Sequence, residues 1–432
     1  MITPLALVAG AVLAYVLVSR RLSSTIVTAP IFFAGIGLLA GPVFGIVNVQ
    51  PQGGPLVLIL EAALVMVLFA DSSGLDVRSW TREPALSGRL LGIGLPLTMI
   101  AGTVLAMLLF PGIAPWQAGL VGVILAPTDA ALGQAVVANP RVPAVVRNAL
   151  NVESGLNDGL ALPFVTILIA IGLVASGQET DLNAVDTLLL ALVGSTAVGL
   201  VVGLGGGWLV RFVAERGLAD PRWLPLGLVA LAVGAFAVAD GFEASGFLAV
   251  WVAGLCTGAM IRGRLPQEAF HLPEQVADVL AALGFLVLGA GLMGPILGRA
   301  TPATIVYAAL SLTVVRMLPV GIAMLRTGFA RPSVAYIGFF GPRGLASIVF
   351  AGVVVEATVP NPAVIVDVVL LTVSISLVVH GVTAAWGARR YATWFERAAA
   401  RDGSIPEAAE LPEHGVHRGS RHRVAEEPPV QV

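Results

Sequence analysis

Apolar runs long enough to cross a membrane recur along almost the whole 432-residue chain, and they leave few folds open. Hydrophobic residues make up 57% of the chain and charged residues only 12%, about half the charged fraction of an ordinary soluble domain. A helix of roughly 20 apolar residues crosses the hydrocarbon layer while satisfying its own backbone hydrogen bonds. The sequence therefore predicts an all-α polytopic membrane protein.

The runs predict thirteen transmembrane helices. They lie near residues 2–19, 25–47, 54–71, 86–110, 115–137, 144–173, 184–214, 222–239, 244–262, 275–298, 301–326, 333–357 and 362–386. Arginines follow every odd-numbered span, whereas the opposite loops contain only Arg299. Because short cytoplasmic loops hold the positive charge, we predict an outside N-terminus and an inside C-terminus.

The chain divides by composition into a transmembrane domain, 1–390, and a polar segment, 391–432. The second segment is rich in Arg, Glu, His, Pro and Gly, which predicts a disordered cytoplasmic tail. Its histidines lack the scaffold that a metal site needs, so their role stays open. A net charge of −2 gives no reason to expect a nucleic-acid partner, and a single cysteine excludes an internal disulfide.

Two spans contain helix-breaking sequences near the middle of the membrane. Span five includes the residues Pro127, Thr128 and Asp129, and span twelve includes a Gly-Pro-Arg-Gly sequence at 341–344. Proline lacks a backbone N–H and frees a carbonyl group. The two breaks are seven spans apart, as expected for two inverted six-helix repeats with broken, crossing helices. Such matching breaks indicate the binding site of a transporter.

Span six carries a polar cluster in the segment NVESGLNDGLALP. Ser154 and Asp158 share one helix face, and Glu153 and Asn157 share the adjoining face. Glycines at the same spacing permit close approach of another helix, for which span five is the candidate. Asp129 would then face Asp158.

These groups predict a cation site. Carboxylate, hydroxyl and freed backbone carbonyl oxygens suit Na⁺ or Li⁺ better than a soft metal. A carboxylate buried away from water favours its protonated form, so protons and cations compete for it. A buried carboxylate with neither a proton nor a cation bound is energetically costly. It therefore moves between the two sides of the membrane only when one of them is bound, and this produces obligatory exchange.

Four further charged residues, Glu61, Glu153, Arg316 and Arg343, lie within spans. Glu153 is expected to form a buried ion pair with Arg343, because a deep arginine does not readily lose its proton. Removing one partner of such a pair costs about 3–5 kcal/mol. The roles of Glu61 and Arg316 stay open at this point.

Four motifs carry a family resemblance: APTDAALG at 126–133, ESGLNDGLALP at 153–163, SGFLAVWVAGL at 245–255 and GPRGLASIVFA at 341–351. They resemble the monovalent cation/proton antiporter superfamily, in the branch of bacterial and archaeal sodium/proton antiporters related to the animal sodium/proton exchangers. The resemblance covers about residues 1–390. It implies a homodimer with an elevator-like motion in a bacterial or archaeal cell membrane.

The resemblance also implies roles for single residues. Asp158 would carry cation and proton alternately, and Asp129, Ser154 and the Thr128 backbone would complete the Na⁺ site. Glu153 would contact the ion indirectly.

Two further positions match the family pattern. Arg343 would pair with Glu153, as the residues themselves suggest. An asparagine at Asn157, where the electrogenic branch has a second aspartate, resembles the electroneutral branch.

The expected function is therefore antiport of Na⁺ against H⁺, with Li⁺ or K⁺ left open as the cation. The alternatives are a K⁺/H⁺ antiporter of the same fold and an uncoupled cation channel, whose buried acids would act as a selectivity ring. We expect no enzyme and no cofactor, because the sequence has no HExxH motif, no phosphate-binding loop and no paired nucleophile and base.

Overall fold

Helices make up the regular structure of the described residues, which contain no β-strand. The computed structural model describes residues 4–22, 25–47, 54–75, 84–129, 132–133, 136, 139–177, 189–266 and 268–409. The helices are α1 (Pro4–Leu22), α2 (Ala29–Val43), α3 (Gly54–Gly74), α4 (Leu86–Leu109), α5 (Pro115–Ile124), α6 (Ala144–Ala175), α7 (Leu190–Glu215), α8 (Leu224–Gly241), α9 (Gly246–Ile261), α10 (Glu268–Arg299), α11 (Pro302–Ala323), α12 (Arg331–Phe339), α13 (Leu345–Glu356) and α14 (Ala363–Arg401).

These helices confirm the predicted all-α membrane fold. Within the described ranges they form thirteen consecutive segments, since α12 and α13 are two halves of one segment. In the part of the chain that the structure describes, eight helices are long and apolar enough to cross a membrane, and α2, α9 and α13 are shorter apolar helices. The inverted relation of the two halves remains a prediction.

Both predicted helix breaks are present. Helix α5 ends at Ile124, and residues 125–129 are not helical. Proline disfavours helical backbone in the residue before it, so the α5 helix ends ahead of Pro127. Helix α12 ends at Phe339 and α13 begins at Leu345, with Pro342 in the extended connection.

The predicted disorder after residue 390 does not hold for residues 391–409. Helix α14 continues without interruption to Arg401, and a short 3-10 turn follows at Pro406–Ala408. The Glu407 carboxylate is buried and accepts hydrogen bonds from the Ala330 N–H and the Ser333 hydroxyl at the start of α12. The segment from 391 to 409 is therefore folded against the transmembrane helices. The rest of the predicted tail, 410–432, lies outside the described residues.

Candidate ion-binding site

The two helix breaks touch each other. The Asp129 N–H donates to the Pro342 carbonyl at 2.8 Å, and the Asp129 Oδ2 accepts from the Leu345 N–H at 2.9 Å. The Ser347 hydroxyl donates to the Ile124 carbonyl at 2.8 Å. The end of α5 and the beginning of α13 are therefore joined by backbone and side-chain hydrogen bonds.

Each break supplies the charge that the other break needs. The Arg343 guanidinium donates through Nη1 to the carbonyls of Ala126 and Pro127, at 2.7 and 2.9 Å. The carbonyl end of a helix carries a partial negative charge, and the N–H end carries a partial positive charge. The positively charged Arg343 side chain thus lies at the carbonyl end of α5, and the negatively charged Asp129 side chain lies at the N–H end of α13.

Glycine is required where the breaks approach most closely. A Cβ atom on Gly344 would overlap the Asp129 carboxylate. A Cβ atom on Gly341 would lie 2.5 Å from Arg316 Nε and 2.9 Å from Thr128 Cγ2. Both positions can therefore hold only a residue without a side chain, unless the neighbouring groups move.

Helix α6 is tied to the first break through Thr128. The Ser154 hydroxyl donates to the Thr128 carbonyl at 2.6 Å. The Asn157 amide donates to the Thr128 hydroxyl at 2.8 Å, while its Oδ1 is buried without a hydrogen-bond partner among the described residues. The sequence prediction that these three residues lie together agrees with this arrangement.

A small cavity of about 20 Å³ opens between the first break and α6. It is lined by Thr128, Asp129, Gly133, Val136, Leu150, Ser154, Phe340 and Pro342. A cavity of this size holds about one water molecule, and it presents carboxylate, hydroxyl and carbonyl oxygens. Sequence reasoning missed Phe340 and Pro342, although Pro342 belongs to the motif that marked span twelve.

Asp158 lies beside this cavity and does not line it. The residue is 8% exposed and lies one helical turn beyond Ser154 on α6. Asp129 and Asp71 are the acidic residues close enough to interact with it electrostatically. Asp71 lies near the end of α3 and is exposed.

The predicted ion pair between Glu153 and Arg343 is wrong as a direct contact. Glu153 Oε1 instead accepts a hydrogen bond from Arg316 Nη1 at 2.5 Å, and both side chains are 1% exposed. Arg343 is also fully buried, but its hydrogen bonds go to backbone carbonyls. Of the two deeply buried arginines, Arg316 therefore pairs with Glu153. Arg343 instead binds the Ala126 and Pro127 carbonyls of the first break.

The close approach predicted from the glycines of α6 involves other helices. Gly159 packs against the Trp251 indole of α9, and Gly155 faces Asp71 and Leu75 at the end of α3. The prediction that span five approaches α6 at these glycines is therefore wrong. Trp251 belongs to the SGFLAVWVAGL motif, which therefore contacts α6 at the residue next to Asp158.

The family model for the transmembrane region of sodium/hydrogen exchangers matches residues 8–390. The K(+)/H(+) antiporter NhaP of Alkalimonas amylolytica is 30% identical over 391 residues, which are 88% of this chain and 64% of the relative. The K(+)/H(+) antiporter NhaP2 of Shewanella oneidensis is 28% identical over 375 residues, 83% of this chain and 62% of the relative. The chain thus spans less than two thirds of the length of these relatives.

A solved structure shares the fold. The sodium proton antiporter MjNhaP1 of Methanocaldococcus jannaschii superimposes with a TM-score of 0.65 at 19% identity, covering 89% of this chain and 97% of that chain. The likeness supports the all-α polytopic membrane fold that the sequence predicts.

Proposed function

Because the chain belongs to the sodium/hydrogen exchanger family, we propose that it exchanges a monovalent cation for protons across the membrane. The observation that carries the proposal is the oxygen-lined cavity at the contact of the two breaks, beside the buried Asp158. A transport site at broken helices, with helix ends and carboxylates around it, is the arrangement that secondary transporters use.

The residues suggest how the exchange proceeds. The cation is held by Asp158, the Asp129 carboxylate, the Ser154 hydroxyl and the Thr128 carbonyl, all of which belong to α6 or to the first break. In the cation-free state a proton occupies Asp158. The Ser154 hydroxyl, which donates to Thr128 here, turns to present its oxygen when a cation arrives.

The charge balance favours an electroneutral exchange. Glu153 is neutralised by Arg316, and Asn157 is uncharged, so Asp158 is the exchangeable acid of α6. Asp129 is held at the start of α13, where the helix end stabilises its negative charge. One cation therefore replaces one proton in each cycle. Glu153 acts indirectly, by fixing α6 to α11.

The transported cation is Na⁺ or K⁺. The relatives are K(+)/H(+) antiporters, and the solved structure with the same fold is a sodium proton antiporter. Oxygen ligands accept either ion, so the number and spacing of the oxygens around the bound ion decide the preference.

Acidic residues at both ends of the helices help cations to reach the site. Asp71 lies close to Glu274 and Asp278 of α10, on the predicted cytoplasmic side. Glu61, which had no partner in the sequence, lies beside Glu356 on the predicted outer side. Clustered negative charge raises the local concentration of cations.

The test is transport in proteoliposomes made with the purified full-length protein. Adding Na⁺ or K⁺ to vesicles that carry a pH gradient is expected to dissipate the gradient, and Asp158→Asn is expected to abolish this response. Asp220→Asn is the matched control, because Asp220 lies in an exposed loop and pairs with Arg222. Wild-type exchange by Asp158→Asn would contradict the proposal.

Two additional measurements separate the alternatives. A channel conducts cations when no proton gradient or counter-flux exists, whereas an antiporter does not. An electroneutral exchanger keeps its rate when the membrane potential is clamped at different values. The cation concentration for half-maximal exchange should rise as the pH falls, because protons occupy Asp158. A constant value between about pH 6 and pH 9 would mean separate sites.

We propose further that the protein is a homodimer in the bacterial or archaeal cell membrane. Helix α1 supports this assignment, since only 6% of its apolar window is buried within the chain. Cross-linking through single cysteines on α1, in a background without Cys256, tests the assembly. Absence of any cross-linked dimer in native membranes would contradict it.

A further inference from the structure

A groove of about 960 Å³ lies between α12 and the last part of α14. Its floor is aromatic: Tyr336 and Phe339 come from α12, and Trp386 and Trp394 come from α14. Tyr336 stacks on Tyr391 with ring centroids 4.1 Å apart, so this floor is rigid. The groove is far larger than the ion cavity and is open at the surface.

The rim of the groove is basic. It is lined by the exposed residues Arg389, Arg390 and Arg397 and by no acidic residue of the described ranges. Among the described residues, no carboxylate lies within ion-pair distance of these three guanidinium groups. The Arg390 guanidinium lies over the Trp386 ring, 5.4 Å from its centroid. The groove therefore offers three guanidinium groups that no carboxylate of the described residues neutralises.

The length of α14 places this groove at the membrane surface. The helix has 39 residues, which at about 1.5 Å per residue is roughly twice the hydrocarbon thickness. The apolar run ends near Trp386, and the arginines follow within the next three turns. Tryptophan belts and juxtamembrane arginines are typical of the interface, and by the arginine distribution this is the cytoplasmic side.

We propose that this groove binds an anionic phospholipid of the cytoplasmic leaflet. The lipid phosphate contacts Arg390 and Arg397, which lie seven residues apart on one face of α14, and an acyl chain covers Trp386 and Phe339. Basic pockets between helices on the cytoplasmic side match the charge of acidic headgroups. An apolar floor beside a cationic rim fits an amphipathic ligand, whereas a soluble anion would leave the aromatic rings uncovered.

The groove and the ion cavity share a wall. Phe340 lines both of them, and its ring packs against Gly387 of α14, where a Cβ atom would overlap it. Phe340 directly precedes the Gly341–Gly344 break. A lipid that holds α12 against α14 therefore acts on the residue that closes one side of the ion cavity, a consequence that rests on the proposed function.

Binding is measured on the full-length protein, delipidated in detergent and mixed with phosphatidylglycerol, phosphatidylcholine or glycerol 3-phosphate. Native mass spectrometry counts bound lipid. Phosphatidylglycerol should bind wild-type protein, and Arg390→Gln/Arg397→Gln should weaken its binding roughly 30-fold, because each arginine near a membrane surface contributes about fivefold. Arg211→Gln/Arg216→Gln, at the end of α7 outside the groove, is the matched control and should bind as wild type does.

Several results would overturn the proposal. Equal phosphatidylglycerol binding by the groove variant and wild type would do so, as would equal binding of phosphatidylcholine. Saturation by glycerol 3-phosphate would identify a plain anion site. Lipid binding that appears only after residues 410–432 are removed would make the chain's own tail the occupant. These readouts need no transport, so they stand or fall separately from the antiport activity.

The link to transport has its own readout. Wild-type exchange should differ at least twofold between vesicles with and without phosphatidylglycerol, and the Arg390→Gln/Arg397→Gln variant should show the same rate in both. A difference that persists in the variant would disconnect the groove from the ion site.

Discussion

The break after α5 leaves carbonyl groups unpaired, whereas the break between α12 and α13 leaves an N–H group unpaired. Side chains of opposite charge stabilise the two breaks. The first leaves the carbonyls of Ala126 and Pro127 without helical partners, and Arg343 satisfies them. The second leaves the Leu345 N–H free, and the Asp129 carboxylate satisfies it. Each break therefore depends on a charged residue from the other one.

The opposite charges at the two breaks determine where a transported cation can bind. The first break turns oxygens of Thr128 toward α6, whereas the second turns the Arg343 guanidinium and the Leu345 N–H toward the first. A cation is therefore attracted to the Thr128 side and repelled by the Arg343 side. The two buried arginines also differ in what they bind. Arg316 neutralises the Glu153 carboxylate, whereas Arg343 donates to backbone carbonyls.

The largest expected effect comes from Arg316→Met, which leaves Glu153 buried without its partner. The free energy of unfolding in mixed micelles should fall by about 3–5 kcal/mol. Glu153→Gln/Arg316→Met should recover most of the loss, because no charge is then left unpaired. Arg299→Met is the matched control, since its exposed pair with Asp367 is expected to contribute about 1 kcal/mol or less. A double variant as unstable as the single one would reject the pair.

The second effect comes from Arg343→Met. The two carbonyls at the end of α5 lose a charged donor, and the expected loss is about 1.5–3 kcal/mol in the same unfolding measurement. Adding Glu153→Gln to this variant should recover nothing, because Glu153 is paired with Arg316. Recovery of stability in the double variant would show that Glu153 pairs with Arg343, as the sequence predicts.

A smaller effect is expected for Asp129→Asn. Asparagine still accepts a hydrogen bond at the start of α13, so this variant removes only the charge, and stability should fall by about 1 kcal/mol. Asp220→Asn, which keeps the acceptor at an exposed 3-10 turn, should change less. A gain in stability for Asp129→Asn would mean that repulsion from Asp158 outweighs the attraction of the helix end.

The smallest effect is expected for Glu407→Gln, which tests how the C-terminal segment supports α12. Glu407→Gln keeps an acceptor for the Ala330 N–H and should cost about 0.5 kcal/mol, because only the charge at the helix start is lost. Glu407→Ala removes the acceptor as well and should cost about 1–2 kcal/mol. Wild-type thermal stability in both variants would show that residues 402–409 do not hold the second break.

The site residues were predictable to different degrees. Thr128, Ser154 and Asn157 follow from the proline in span five and the polar cluster on α6, because buried polar groups need partners and few elements are within reach. Asp71 was not predictable, since its exposed position at the end of α3 looks like ordinary solvation and its proximity to Asp158 depends on how α3 packs on Gly155. Phe340 carries no polar signal at all.

The sequence by itself determined the all-α membrane fold, the helical segments and the two breaks, because hydrocarbon length and proline chemistry act on consecutive residues. Only the tertiary structure decided which arginine pairs with Glu153, which helices meet Gly155 and Gly159, and how far α14 and the segment after it stay folded. Buried charges choose partners by distance in three dimensions. Arg316 and Arg343 are chemically identical, so no local pattern could separate them.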